Sequence, residues 1–133
     1  MNRHLISLVV IAMIALGTAA HAQAEEQKLK YFLMIAEPNG STWKSAIDGD
    51  GDMAVPARAA IEAMGGQLLS YYIGVGEAKN YGVVAFPDSY DIAKITYLRA
   101  AQGVMKSLQF IEVIPSGAAV AVFEDVREML GKD

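Results

Sequence analysis

The 133-residue chain contains no cysteine, and its only two histidines, His4 and His21, fall within the first 24 residues. Past that point there is neither thiol nor imidazole. Their absence excludes Ser-His-Asp and Cys-His catalysis, zinc held by His or Cys, and disulfide staples from residues 25–133. Proton work there falls to Asp, Glu, Lys, Tyr and Arg. Basic clusters are missing too. Without Arg3, ten Lys+Arg stand against fifteen Asp+Glu, a formal charge of −5. Such a balance makes nucleic acid and anionic lipid poor partners. The five later methionines (Met34, Met53, Met64, Met105, Met129) lack the Met-x-Met or Met-x-x-Met spacing that thioethers need to hold copper(I), and read as core filler. Neither a metal nor a cofactor is expected.

What is present at the start reads as an export signal. Arg3 precedes the apolar run Leu5–Gly17, and "AHA" and "AQA" offer small-residue cleavage sites after Ala22 or Ala24. The run falls short of the roughly 20 residues that span a bilayer. No cysteine follows for lipid attachment and no twin arginine precedes it. Residues 1–24 are therefore expected to be a secretory signal peptide. The expected destination is the periplasm or the exterior, with no membrane attachment after cleavage. Residues 25–133 suffice for one domain with a single core.

The stretch "SAIDGDGDMAVPA" (Ser45–Ala57) looks like a calcium loop and fails as one. Asp48, Asp50 and Asp52 fill ligand positions 1, 3 and 5, but Met53 stands where glycine must turn and Ala59 where a bidentate Glu must bind. Aspartates and glycines in front of a helix act as a turn and cap, with Asp52 as the expected N-cap.

Strand-like runs are "YFLMIA" (Tyr31–Ala36), "QLLSYYIGV" (Gln67–Val75), "YGVVAF" (Tyr81–Phe86) and "SLQFIEVI" (Ser107–Ile114). The middle two are joined by "GEAKN" as a hairpin. Helical spacing links Ala57, Ala60, Ile61 and Met64, then Ile92, Ile95, Thr96 and Ala100, then Ala119 through Leu130. Gly65–Gly66 and Gly103 are expected stops, Asp88 or Ser89 and Ser116 expected caps. Between Ser41 and Asp52 the pattern is weak enough for only one helical turn. The order is β-α-β-β-α-β-α, an α+β ferredoxin-like split βαβ plus a C-terminal helix. Both crossover helices then cover one sheet face. The other requires a cover, for which a second copy is the physical solution, with Tyr72, Val84 and Phe110 near it.

"AIEAMGGQLLSYYIGVGE" (Ala60–Glu77), "YGVVAFPDSYDIAKI" (Tyr81–Ile95) and "SLQFIEVIP" together resemble the GYD domain family of the dimeric α+β barrel superfamily. Ala63, Gly65, Gly66, Gly76, Pro87 and Asp88 match its pattern, which covers nearly all of residues 25–133. The name-giving turn departs from it. Counted back from Pro87, Gly76 is in place, but Ala78 and Lys79 stand for the Tyr and Asp. A shifted frame recovers Tyr81 and puts Gly82 at the acid. The resemblance implies the fold and a homodimer through the open sheet face, and no defined activity.

Chemistry-bearing residues gather at the hairpin: Tyr72, Glu77, Lys79, Asn80 and Tyr81, with Tyr71 alongside. A lysine beside a tyrosine lowers a phenol's pKa, and Asn80 can orient a ligand carbonyl. The bland alternative is a solvated turn with tyrosines packed across strands. Trp43, the only tryptophan, is either a lid over a cavity or a packing anchor. The expected function is an exported homodimer that binds a small apolar or aromatic molecule or serves an accessory role. Alternatively, the chain is a cofactor-independent oxygenase or isomerase, by analogy with other dimeric α+β barrel proteins.

Overall fold

The computed structural model describes residues 27–49 and 51–131; the signal-peptide reading of residues 1–24 lies outside them. In chain order the elements are β1 (Leu29–Pro38), α1 (Gly40–Asp48), α2 (Ala54–Ala63), β2 (Gln67–Ile73), β3 (Asn80–Pro87), α3 (Ala93–Gln102), β4 (Met105–Val113) and α4 (Ser116–Leu130). The four strands form one sheet in the order β2-β3-β1-β4, and every neighbouring pair is antiparallel. The α+β class expected from the sequence is what is observed, in an arrangement compatible with a ferredoxin-like fold.

The period of two in β1 sorts the layers. Phe32, Met34 and Ala36 point toward the helices and are buried, while Tyr31, Leu33 and Ile35 alternate to the other side. Pairing extends this across the sheet, since directly opposed residues share a face. Val84, Gly82, Phe110 and Leu108 lie on the helix side. Val83, Ile111 and Val113 lie on the open side. Ile61 of α2 and Ile95 of α3 complete a core with Leu68, Val84 and Phe86. Val84 and Phe110 are therefore not near an open-face cover: Val84 is 0% exposed under the helices and Phe110 packs on the same core. Tyr72 does face the open side, 65% exposed.

Parity breaks on β2 because of a bulge between Leu68 and Ser70. Leu68 opposes Val84 on the helix side, yet three residues later Tyr71 opposes Gly82 on that same side. One extra residue thus turns Tyr71 inward and Tyr72 outward.

Helix boundaries depart from expectation in four places. A nine-residue α1 replaces the single turn, because Asn39 caps it: its Oδ1 accepts from Thr42 N at 2.9 Å. Asn39 also donates from Nδ2 to Gly103 O, and its backbone N donates to Val104 O at 3.1 Å. These contacts bind the start of α1 to the α3–β4 connection. Asp52 accepts from Ala54 N at 2.9 Å as an Asx turn, one residue before the cap position Met53. At α3, Asp91 rather than Asp88 or Ser89 does this, accepting from Ala93 N at 3.0 Å. Ser116 is the first residue of α4, with Pro115 at the cap position and no side-chain cap bond. The stops hold: Gly65 and Gly103 have φ of 83° and 64°, where a side chain would strain the backbone.

Candidate functional site

Where α1, α2 and α3 meet the sheet they leave a cleft of about 210 Å³, whose apolar walls include Met53, Ala57 and Met105. A smaller pocket of about 50 Å³ adjoins it toward the core, reaching Ile61, Ile95 and Leu108. Four polar side chains line the same opening: Thr42 from α1, whose hydroxyl is already bonded to Asn39 and Val104, and Tyr71 from β2, Asn80 from β3 and Arg99 from α3.

Each arrives there for a local reason. The β2 bulge turns Tyr71 inward. Asn80 opens β3 opposite Ala36, on the helix side of the sheet. Arg99 falls one helical turn after Ile95, which is 1% exposed, so it continues the inward stripe of α3.

Asn80 is 0% exposed. Its Nδ2 donates to Tyr71 Oη at 2.6 Å, and its Oδ1 is buried without a partner. Turning the amide over would exchange the roles and leave the amino group orphaned instead. Either way one end of a fully buried amide lacks a hydrogen bond, at a cost of about 1–3 kcal/mol. Burial is the main cause that raises the pKa of Tyr71; the Asn80 hydrogen bond opposes it and the negative charge of Asp52 adds to it. Arg99 donates from Nη1 to Gln102 Oε1 at 2.9 Å. None of the ion pairs among the described residues involves it; those pairs use Lys30, Lys44, Lys79 and Lys106.

The expected candidates divide among three places. Asn80 lines the cleft. Tyr72 and Tyr81 pair across β2 and β3 on the opposite sheet face. Glu77 accepts a hydrogen bond from the Tyr81 hydroxyl and pairs with Lys79 Nζ at 3.3 Å. The idea of a lysine-activated phenol is overturned there. The hydrogen bond to Glu77 raises the Tyr81 pKa, outweighing the lowering effect of Lys79. Glu77 is itself lowered, first by Tyr81 and then by Lys79, so the trio is a satisfied surface network. Trp43 is half-buried on α1, its Nε1 buried without a partner, and it lines neither cavity. Sequence reasoning did not single out Arg99, and it chose Tyr72 over Tyr71.

The Tyr71 assignment has a pH signature. A phenol whose folded pKa is raised stabilises the fold below its unfolded value of about 10 and loses that contribution as pH climbs through the folded value. Urea unfolding between pH 9 and 11 should therefore show a decline in stability that is shallower in Tyr71→Phe. Lys30, Lys79 and Tyr81, also raised, titrate alike in both proteins and cancel in the comparison. Equal slopes would place Tyr71 in water rather than in the cleft wall.

Among the described residues no group of three or more His, Cys, Asp or Glu could hold a metal ion, and no helix is long and apolar enough to cross a membrane. Compared with protein-family models, curated proteins and solved structures, the chain matches none.

Proposed function

We propose that this chain is an exported, GYD-like, homodimeric binding protein that holds a small, largely apolar molecule in the cleft between its sheet and helices. The observation that carries the reading is Asn80, fully buried, lining an apolar cleft, with one end of its amide unpartnered. A ligand polar group placed there restores the missing hydrogen bond, while Met53, Ala57 and Met105 contribute apolar contact. At about 210 Å³ the cleft is smaller than the roughly 300–1,000 Å³ of drug-sized sites, so the ligand is small.

The dimer rests on the apolar open face, where Leu33 opposes both Val83 and Ile111, and on the sheet order expected of a ferredoxin-like half-barrel. Export rests on the composition of residues 1–24.

The rival reading, a cofactor-independent oxygenase or isomerase, requires a base. The lining of the cleft has no carboxylate, burial drives Tyr71 toward its protonated form, and a guanidinium such as that of Arg99 is a donor with no acceptor site. The cleft favours binding over proton abstraction.

Native mass spectrometry of the signal-cleaved protein, purified gently from the exporting cell, tests this. The expected spectrum is a dimer with additional small-molecule mass, reduced in Asn80→Leu. A bare protein that acquires no mass from an extract of the same cell would refute the binding role.

A further inference from the structure

We infer that the ligand of this cleft is a small carboxylate with an aromatic ring or short apolar chain, its carboxylate held by Arg99 and Tyr71. The inference rests on the binding role proposed above and names the chemistry that role would serve.

Arg99 is the cation of the cleft, and in a chain with this excess of acid it has no carboxylate within ion-pairing distance among the described residues. Its one hydrogen bond there is to a neutral amide, Gln102. A guanidinium presents five donors in a planar fork, so most of its hydrogen-bonding capacity remains open. The Tyr71 oxygen accepts from Asn80, which leaves its O–H free to donate. Two donors of one cleft, one fully charged, suit an acceptor-only anion, and a planar carboxylate fits the fork with two parallel hydrogen bonds. Inverting the Asn80 amide would commit the Tyr71 O–H to the amide oxygen and leave the Asn80 amino group as the unpartnered donor, so the second donor beside Arg99 would then be Asn80 rather than Tyr71. Asn80 Oδ1 in the orientation observed offers an acceptor for a hydroxyl carried elsewhere on the ligand.

The remaining walls define the rest of the molecule. Met53 and Met105 are flexible, polarizable side chains that adapt to a ring or an alkyl chain. The adjoining pocket of about 50 Å³ leads past Arg99 toward Ile61, Ile95 and Leu108, all apolar. A carboxylate at Arg99 with its hydrocarbon directed there leaves no charge in the core. A dicarboxylate or a sugar acid would place polar groups against those side chains with no hydrogen-bond partner, which disfavours them. Asp52 is the nearby negative charge that acts on Tyr71, and it lines the neighbouring cleft beside α1, which shares Met53 and Pro56 with this one. It disfavours a second anionic group at that end.

The test compares 3-phenylpropanoate and hexanoate with their neutral amides, by isothermal titration at pH 7, on the signal-cleaved protein. The expected result is that at least one carboxylate binds about tenfold or more tightly than its amide. Arg99→Gln should erase that preference by weakening the carboxylate and leaving the amide within about twofold. Arg99→Lys, which keeps the charge and loses the fork, should retain part of the preference and supplies the answer if Arg99→Gln does not fold. Lys106→Gln, on the exposed edge of β4 and paired with Glu37, should change nothing. Amides that bind as well as the carboxylates would overturn this inference and leave the binding role standing. Failure of all four probes at millimolar concentration would overturn both.

Discussion

Replacing Phe86 with alanine should lower the unfolding free energy by about 3–5 kcal/mol, the range for removing a buried aromatic from a close-packed core. Phe86 is 0% exposed at the end of β3. Its ring stacks on Tyr90 at 4.7 Å with an interplanar angle of 28°. It also approaches the backbone of Gly66 so closely that a Cβ there would lie 2.4 Å from ring carbon Cε1. The ring thus joins the end of α2, the start of β2 and the loop into α3. Its removal leaves a cavity that Gly66 has no side chain to fill. Gly66→Ala alone should cost about 1–3 kcal/mol, because the ring it displaces is fully buried. Combined with Phe86→Ala, the added methyl occupies vacated space, so the double variant should be more stable than the sum of the singles implies. Urea unfolding of the four proteins measures this. Strict additivity would mean that Gly66 and Phe86 do not touch.

The sequence displayed part of this core because its main signals are local. The helical spacing of Ala57, Ile61 and Met64 marked the inward side of α2, whereas Tyr31–Ala36 is one continuous apolar run that announces a strand without showing that Phe32, Met34 and Ala36 are its buried set. The glycine stops were equally legible, since Gly65 and Gly103 do what few other residues can. Helix α1 was not. Its Asn39–Thr42 cap is local, but the contacts that hold it to the rest of the chain are at long range, Asn39 to Gly103 and Thr42 to Val104, across separations of 64 and 62 residues. No window of neighbouring residues records such a pairing.

The site failed to show for a related reason. Reading β2 with a strict period of two carries Leu68, Ser70 and Tyr72 on one face; the bulge shifts that parity after Leu68 and delivers Tyr71 to the cleft. A bulge leaves no reliable mark in a single sequence when no glycine sits at the extra residue. Arg99 did carry a signal. It stands at i+4 from Ile95 and i+7 from Ile92, on the apolar stripe of α3, and a charged residue in that phase is either edge-exposed or turned to a purpose. Its charge alone made it look like a surface residue. Asn80 was visible as a polar residue beside a strand, though not as a buried one. That required knowing that β3 lies next to β1 and faces Ala36.

Introducing a charge on the open sheet face should dissociate the proposed homodimer. Among the described residues no helix covers that face, and α4 itself has no buried residue. The face presents Tyr31, Leu33, Ile35, Val83, Ile111 and Val113 in paired register. Ile111 is 41% exposed, on an edge strand with its side chain directed away from the core, so aspartate there leaves the helix-side packing untouched. In a two-fold dimer the substitution enters twice. Each uncompensated charge buried at an apolar interface costs several kcal/mol, so the dissociation constant should rise by about 100-fold or more. Sedimentation over a wide concentration range would show Ile111→Asp as a monomer where the unaltered protein is dimeric, with unchanged far-ultraviolet circular dichroism. An Ile111→Asp protein that stays dimeric would move the interface to the exposed Phe123 and Val126 side of α4, whose apolar stripe then becomes the surface that binds the second copy. An unaltered protein that is monomeric throughout would remove the dimer, and with it the explanation for why so apolar a sheet face is left open.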